Sequence, residues 1–128
     1  DAGDDTLSGD DGTNGLYGLA GADTLDGRGG DDILEGGAGD DVMTGGAGDD
    51  SFVFADGHGR DTITDFLAGS AGGDVIDLRR LTAAAGFTDV MAAAAQVGDD
   101  TVIDFGDGNS IALLGVDATQ LEEQDFLF

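Results

Sequence analysis

Asp5, Asn14, Asp23, Asp32, Asp41 and Asp50 stand nine residues apart. A column of acids at fixed spacing suits two kinds of chemistry, cation binding and proton transfer. The residues around it keep the same period. Numbering each unit from the glycine that opens residues 36–44 (Gly-Gly-Ala-Gly-Asp-Asp-Val-Met-Thr) puts the acids at position six. Position four is Gly3, Gly12, Gly21, Gly30, Gly39 and Gly48, and position one is Gly9, Gly18, Gly27, Gly36 and Gly45. Position eight is Leu7, Leu16, Leu25, Leu34, Met43 and Phe52. Internal repetition at a short fixed period is the signature of a solenoid.

The elements that must carry these columns follow from strand and turn physics. Positions seven to nine form a short strand whose large apolar middle residue points inward, while its neighbours, such as Thr24 and Asp26, point outward. Positions one to six are rich in glycine and acid, and they make the turn. Each nonapeptide is then half a coil, and two units complete one coil of a flattened roll whose two parallel sheets face each other. Position six of one unit therefore stacks on position six of the unit two further on. This makes two acidic ladders, Asp5–Asp23–Asp41 and Asn14–Asp32–Asp50.

Such ladders need a counter-charge. Coils at strand spacing lie about 4.8 Å apart, and two carboxylates at that distance repel by roughly 3.5 kcal/mol at an effective dielectric of about 20. One apolar residue per half-coil cannot offset that penalty along both edges, whereas a cation between coils reverses its sign. The donors on offer are carboxylates and the carbonyls of glycine-rich turns. That set suits Ca2+ better than Mg2+, which demands tighter octahedral geometry.

Composition narrows the remaining functions. The 128-residue chain has 28 acidic residues against four arginines, a formal charge of -24, no Cys and one His. So acidic a surface excludes direct nucleic-acid binding and insertion into an anionic membrane, and no window has the length of a membrane span. Thiolate sites and disulfides are impossible. The single His58, in a Gly-His-Gly loop, cannot supply a two-histidine zinc protease motif. Ser70 lies in Ala-Gly-Ser-Ala-Gly (residues 68–72), which lacks nucleophile-elbow spacing. The chain reads as a non-catalytic module.

The nonapeptide is legible over residues 1–53, and residues 54–128 read as a capping region, which a solenoid needs over its last coil. The fold expected is all-β: a parallel β-roll with a mostly-β C-terminal cap holding one short helix. In the cap, residues 61–66 and 74–78 read as strands, 88–96 as the helix, and 101–105 with 110–114 as a hairpin around Gly-Asp-Gly-Asn. The last eight residues read as a helical turn and a final strand. Arg79 and Arg80 are expected to lie over the cap and pair with nearby acids. Asp61 and Asp74 stand as either additional cation ligands at the junction or solvated turn acids.

The columns resemble the RTX (haemolysin-type) calcium-binding repeat. The order of features after them is similar to the C-terminal region of serralysin-like and other type I secreted proteins. The carriers there are Asp-Thr-Ile-Thr-Asp-Phe at 61–66, Asp-Val-Ile-Asp-Leu at 74–78 and Asp-Phe-Leu-Phe at 125–128. The resemblance implies Ca2+ between turns, held by paired position-six side chains with carbonyls from positions one to four. The implied pairs are Asp5 with Asp23, Asp23 with Asp41, and Asp32 with Asp50, the pair made by Asn14 being weaker. About four to six ions are implied in all, at the affinities of extracellular sites, about 10⁻⁴ to 10⁻³ M. It further implies a secreted, extracellular protein of a Gram-negative bacterium, export by the type I secretion machinery, and an upstream passenger domain. The chain opens inside a repeat, which reads as a fragment. Two rival readings stand beside this one: a carbohydrate-binding accessory for an alginate-like polysaccharide, and end-to-end self-association through the first coil.

Overall fold

A computed structural model describes residues 1–70 and 73–128. Ala71 and Gly72, which end the Ser70 segment considered above, lie outside the described residues. Positions seven to nine form strands as the alternation requires. On one side of the roll lie β1 (Thr6–Ser8), β3 (Thr24–Asp26), β5 (Val42–Thr44) and β7 (Arg60–Ile63). On the other lie β2 (Gly15–Ala20), β4 (Ile33–Ala38), β6 (Ser51–Ala55) and β8 (Val75–Arg80). Neighbours within each set pair in parallel.

Register stacks the position-eight residues into two inward ladders. One runs Leu7, Leu25, Met43, Ile63, and the other Leu16, Leu34, Phe52, Ile76. Leu25, Leu34, Met43, Phe52, Ile63 and Ile76 are fully buried, and each contributes about 1.5–3 kcal/mol by leaving water. Their strand neighbours are exposed or half-buried, apart from buried Asp77 beside Ile76. The parallel coils thus continue past the residues in which the nonapeptide is legible, because Ile63 and Ile76 keep the inward apolar position although the spacing between coils has changed.

The capping elements extend both sheets. The hairpin of β10 (Asp100–Gly106) and β11 (Asn109–Leu113) adds to the first sheet through parallel pairing of β11 with β7. Its two-residue loop has φ of 53° at Asp107 and 82° at Gly108, the left-handed pair that an Asp-Gly hairpin turn favours. On the second sheet, β12 (Phe126–Leu127) pairs in parallel with β8, setting Phe126 over Ile76. One apolar core runs from Leu16 to Phe126.

The helix differs from the sequence expectation. α1 spans Phe87–Ala93, anchored by buried Val90, and Ala94–Val97 is instead β9, an edge strand paired antiparallel with β10. Alanine-rich sequence favours a helix only weakly at this length, and the open edge of β10 supplies backbone partners that outweigh the preference. The arginines pair as expected: Arg79 with Asp77, and Arg80 across the sheet with Glu35.

Candidate metal centres

The turns are tight because glycine permits two things in them. At position four, Gly21, Gly39 and Gly48 have φ of 121°, 139° and 131°, and a Cβ there would strike the carbonyl of the coil beneath. At position one the constraint is space. A Cβ on Gly18 would run into both Asp23 Oδ2 and the Gly36 carbonyl oxygen of the next coil, and on Gly27 into Asp32 Oδ2 and the Gly45 carbonyl oxygen. Gly36 and Gly45 lie in the same way against Asp41 and Asp50 Oδ2, and Gly9 lies against Asn14 Oδ1 and the Gly27 carbonyl oxygen. Each position-one glycine therefore clears a small volume lined by oxygen.

The position-six side chains are joined by a repeated hydrogen bond. The backbone N–H of one rung donates to Oδ1 of the next: Asp5 to Asp23 at 2.7 Å, Asp23 to Asp41 at 2.8 Å and Asp41 to Asp61 at 2.9 Å. On the opposite edge Asn14 donates to Asp32 at 2.7 Å, Asp32 to Asp50 at 3.0 Å and Asp50 to Asp74 at 3.0 Å. Asp61 and Asp74 therefore belong to the ladders. They are 2% and 4% exposed, which removes the reading of them as solvated turn acids.

One carboxylate oxygen is thus used in every rung from Asp23 and Asp32 onward, and the other separates these rungs into two kinds. Asp23, Asp32, Asp41 and Asp50 are each 1% exposed, and their Oδ2 atoms are buried with no hydrogen-bond partner. A buried carboxylate oxygen left unpaired is costly, and four at equivalent positions are not a packing accident. By contrast, Asp61 Oδ2 lies 2.6 Å from Nδ1 of buried His58, and Asp74 Oδ2 accepts the Leu67 N–H at 3.0 Å. At the first coil, Asn14 Oδ1 accepts the Asp10 N–H.

Electrostatics agree with geometry. Burial pushes the Asp41 carboxyl up to about 6, reinforced by Asp61 and Asp23 and opposed by the Asp23 N–H. Burial does the same to Asp50, also to about 6, with Asp74 and Asp32 adding and the Asp32 N–H opposing. Asp61 and Asp74 are raised by burial as well, against the hydrogen bond from His58 in the first case and from the Asp50 N–H in the second. The metal-free fold therefore disfavours charge at these four carboxyls. A hard cation fits this donor set, because it would pair the orphaned oxygens and favour the ionised carboxyls. Among the described residues no three acidic or histidine side chains converge on one point, so any cation here would need backbone carbonyls to complete its shell.

Two features escaped the sequence reading. Position five carries a second, exposed ladder with the opposite sense: Asp4, Asp31 and Asp40 accept the N–H groups of Ala22, Asp49 and Arg60 in the next coil. The recurrence of Asp at 4, 31, 40 and 49 was its signal. The other is Asp65, which accepts the N–H groups of Gly45 and Gly46 at 3.0 and 2.8 Å and clamps the last nonapeptide turn.

Comparison with known proteins gives a consistent result. The family described as the RTX calcium-binding nonapeptide repeat (4 copies) matches residues 1–25, 17–52 and 26–61. No curated protein sequence matches. Among solved structures, extracellular lipase LipA from Serratia marcescens superposes with TM-score 0.79 at 28% identity, over 100% of this chain and only 20% of the lipase. The AlgE6R3 subunit of the Azotobacter vinelandii mannuronan C5-epimerase gives TM-score 0.78 at 32% identity, over 99% of this chain and 79% of the subunit. The AlgE6R2 subunit of the same epimerase gives TM-score 0.66 at 29% identity, over 99% and 91%. The repeat columns, the parallel roll and these relatives establish that the chain belongs to the RTX family of calcium-binding nonapeptide repeats, a structural and generally non-catalytic module.

Proposed function

We propose that this chain is a calcium-triggered folding module, exported by a type I secretion machine in a loose state and folded outside the cell, where it supports an upstream passenger domain. The observation that carries the reading is the set of four buried, unpartnered Oδ2 atoms on Asp23, Asp32, Asp41 and Asp50. With little Ca2+ their burial opposes closure of the roll, and with Ca2+ the same atoms hold it closed. The ligands proposed are these four carboxylates with carbonyls of the turns containing Gly18, Gly21, Gly27, Gly30, Gly36, Gly39, Gly45 and Gly48. Asp5 pairs with Asp23, and Asn14, with Gly9, makes the weaker pair with Asp32. Far-UV circular dichroism during a Ca2+ titration, with Mg2+ as control, tests this. A coil-to-β transition with Ca2+ alone supports it, and a β signal indifferent to chelator overturns it.

Secretion supplies a second test. Removing residues 121–128 takes away β12 and buried Phe126, together with Asp125, whose carboxylate accepts the Gly69 and Glu122 N–H groups. Export and cap folding should fail together. Normal export of the shortened chain would remove the signal role.

A carbohydrate-binding reading rests on one surface feature. Tyr17, Leu19, Glu35, Gly37 and Arg80 line a depression on the outer face of the second sheet, and Tyr17 is half exposed. The epimerase subunits give that reading its ligand class. Against it, Arg80 is already paired with Glu35. Retardation in alginate-loaded gels, lost in Tyr17→Ala, would favour it.

A further inference from the structure

Each ladder extends one rung beyond the legible repeat, and the extension changes the chemistry of that rung. Hydrogen-bonded rungs within the repeat are 18 residues apart, but Asp41 to Asp61 spans 20 and Asp50 to Asp74 spans 24. The added residues bring a protein donor onto the oxygen that is free elsewhere. On the first edge that donor is His58. It stands three residues before Asp61, where the inner coils carry Ala20 and Ala38, and its carbonyl accepts the Gly39 N–H just as that of Ala38 accepts the Gly21 N–H.

We propose that His58 takes the place of a cation at the last rung, so that Asp61 holds the backbone of Asp41 without ever ligating Ca2+. The inference rests on the calcium-module reading above. With Asp61 ionised its Oδ2 can only accept, so Nδ1 is the donor in that state. The ring is 3% exposed and edge-on to Phe54 and Phe105, with centroids 5.2 and 6.4 Å away. Its Nε2 has no partner, so the contact with Asp61 is the ring's one hydrogen bond. Packed in this way, the ring cannot leave without opening the apolar junction between coil and hairpin. The Leu67 N–H does the same for Asp74.

The test is the number of Ca2+ ions bound per chain, measured by equilibrium dialysis on the full chain and on Asp41→Asn and Asp61→Asn. Both asparagines keep an oxygen for the ladder hydrogen bond. Asp41→Asn should bind one ion fewer, and Asp61→Asn the same number as the unaltered chain. Nitrogen-15 spectra of the unaltered chain give a second readout that needs no variant: the His58 Nδ1–H signal should persist at Ca2+ saturation. Loss of one ion in Asp61→Asn, or disappearance of that signal on saturation, overturns the inference. If the unaltered chain bound no Ca2+, the module reading would fall and this inference with it. Loss of one ion in both Asp41→Asn and Asp61→Asn would overturn this inference and leave the module reading standing.

Discussion

Asp41 and Asp61 are adjacent rungs of one ladder, both nearly sealed from water and both accepting a backbone N–H from the coil before. They differ at a single atom. Oδ2 of Asp41 has no partner, and Oδ2 of Asp61 has His58. Asp50 and Asp74 repeat the contrast on the opposite edge, with the Leu67 N–H as the partner. Register and burial are shared by both kinds of rung, so they cannot separate them. On the proposal above, a cation site is made by the oxygen that the coil leaves unsatisfied, and one protein donor is enough to replace the ion.

The largest effect that could break this comparison is on the glycines of the open rungs. Gly36→Ala puts a methyl against Asp41 Oδ2, in the space a cation would share. It should weaken Ca2+ binding by at least tenfold and shift the folding midpoint to higher Ca2+, as read by titration calorimetry and circular dichroism. Gly57→Ala, in the loop before His58, has nothing within 4 Å of its Cβ. Although its φ of 81° adds some strain, it should leave Ca2+ affinity nearly unchanged. Equal losses of affinity would mean that strain, not occupied space, governs the turns.

Next in size is charge. Asp41→Ala removes a buried carboxylate proposed as a ligand and should cost about tenfold or more in Ca2+ affinity. Asn14→Ala should cost less, because the Asn14 oxygen is uncharged and already accepts the Asp10 N–H. Comparable losses would contradict the ladder assignment.

The pH dependence sharpens the same contrast and has a definite sign. Burial raises Asp41 and Asp50 from 3.8 to about 6 in the metal-free fold. A carboxyl raised by folding favours the fold when protonated, so its contribution is full below the unfolded value and is lost as pH rises through the folded one. The metal-free chain should therefore show more β-structure at about pH 5 than at about pH 7.5. With Ca2+ the order should invert, since the ion needs ionised ligands and protons compete with it below about pH 6. A metal-free spectrum identical at the two pH values would show that these carboxyls do not oppose closure.

How much of this was legible in the sequence depends on which residues kept the period. Gly36 and Gly45, Asp41 and Asp50, Met43 and Phe52 repeat at one spacing, and strand alternation with coil stacking then dictates the two ladders and the inward apolar rows. Asp61 and Asp74 were visible as acids but not as rungs, because spacings of 20 and 24 residues break the register that identifies the others. His58 was legible only as a loop residue, since its burial comes from Phe54 and Phe105, and Phe105 reaches it only through the tertiary fold. Ala94–Val97 failed for a related reason: the open edge of β10 decides its state, and local preference cannot report an edge. Repetition makes local sequence informative, and the closing region is unreadable in proportion to its departure from it.

The smallest predicted effect lies within the repeat itself, at position two. Gly37 and Gly46 have φ of 106° and 98° there, while the earlier units place Leu19 and Arg28 at φ of 82° and 74°. For a residue with a Cβ this region costs about 1–2 kcal/mol, and glycine returns part of the gain through its freer unfolded chain, about 0.5–1 kcal/mol. Leu19→Gly and Arg28→Gly should therefore each stabilise the Ca2+-loaded fold by about 0.5–1 kcal/mol in denaturant melts, with little change in Ca2+ affinity. Leu19 is 64% exposed, so few contacts are lost with it. Leu19 also lines the depression beside Tyr17 and Arg80, whereas Arg28 does not. If both variants are stabilised and only Leu19→Gly loses retention in alginate, the strain at Leu19 is kept for a surface function. If both are stabilised and neither affects retention, the strain marks only a unit that has drifted from the repeat.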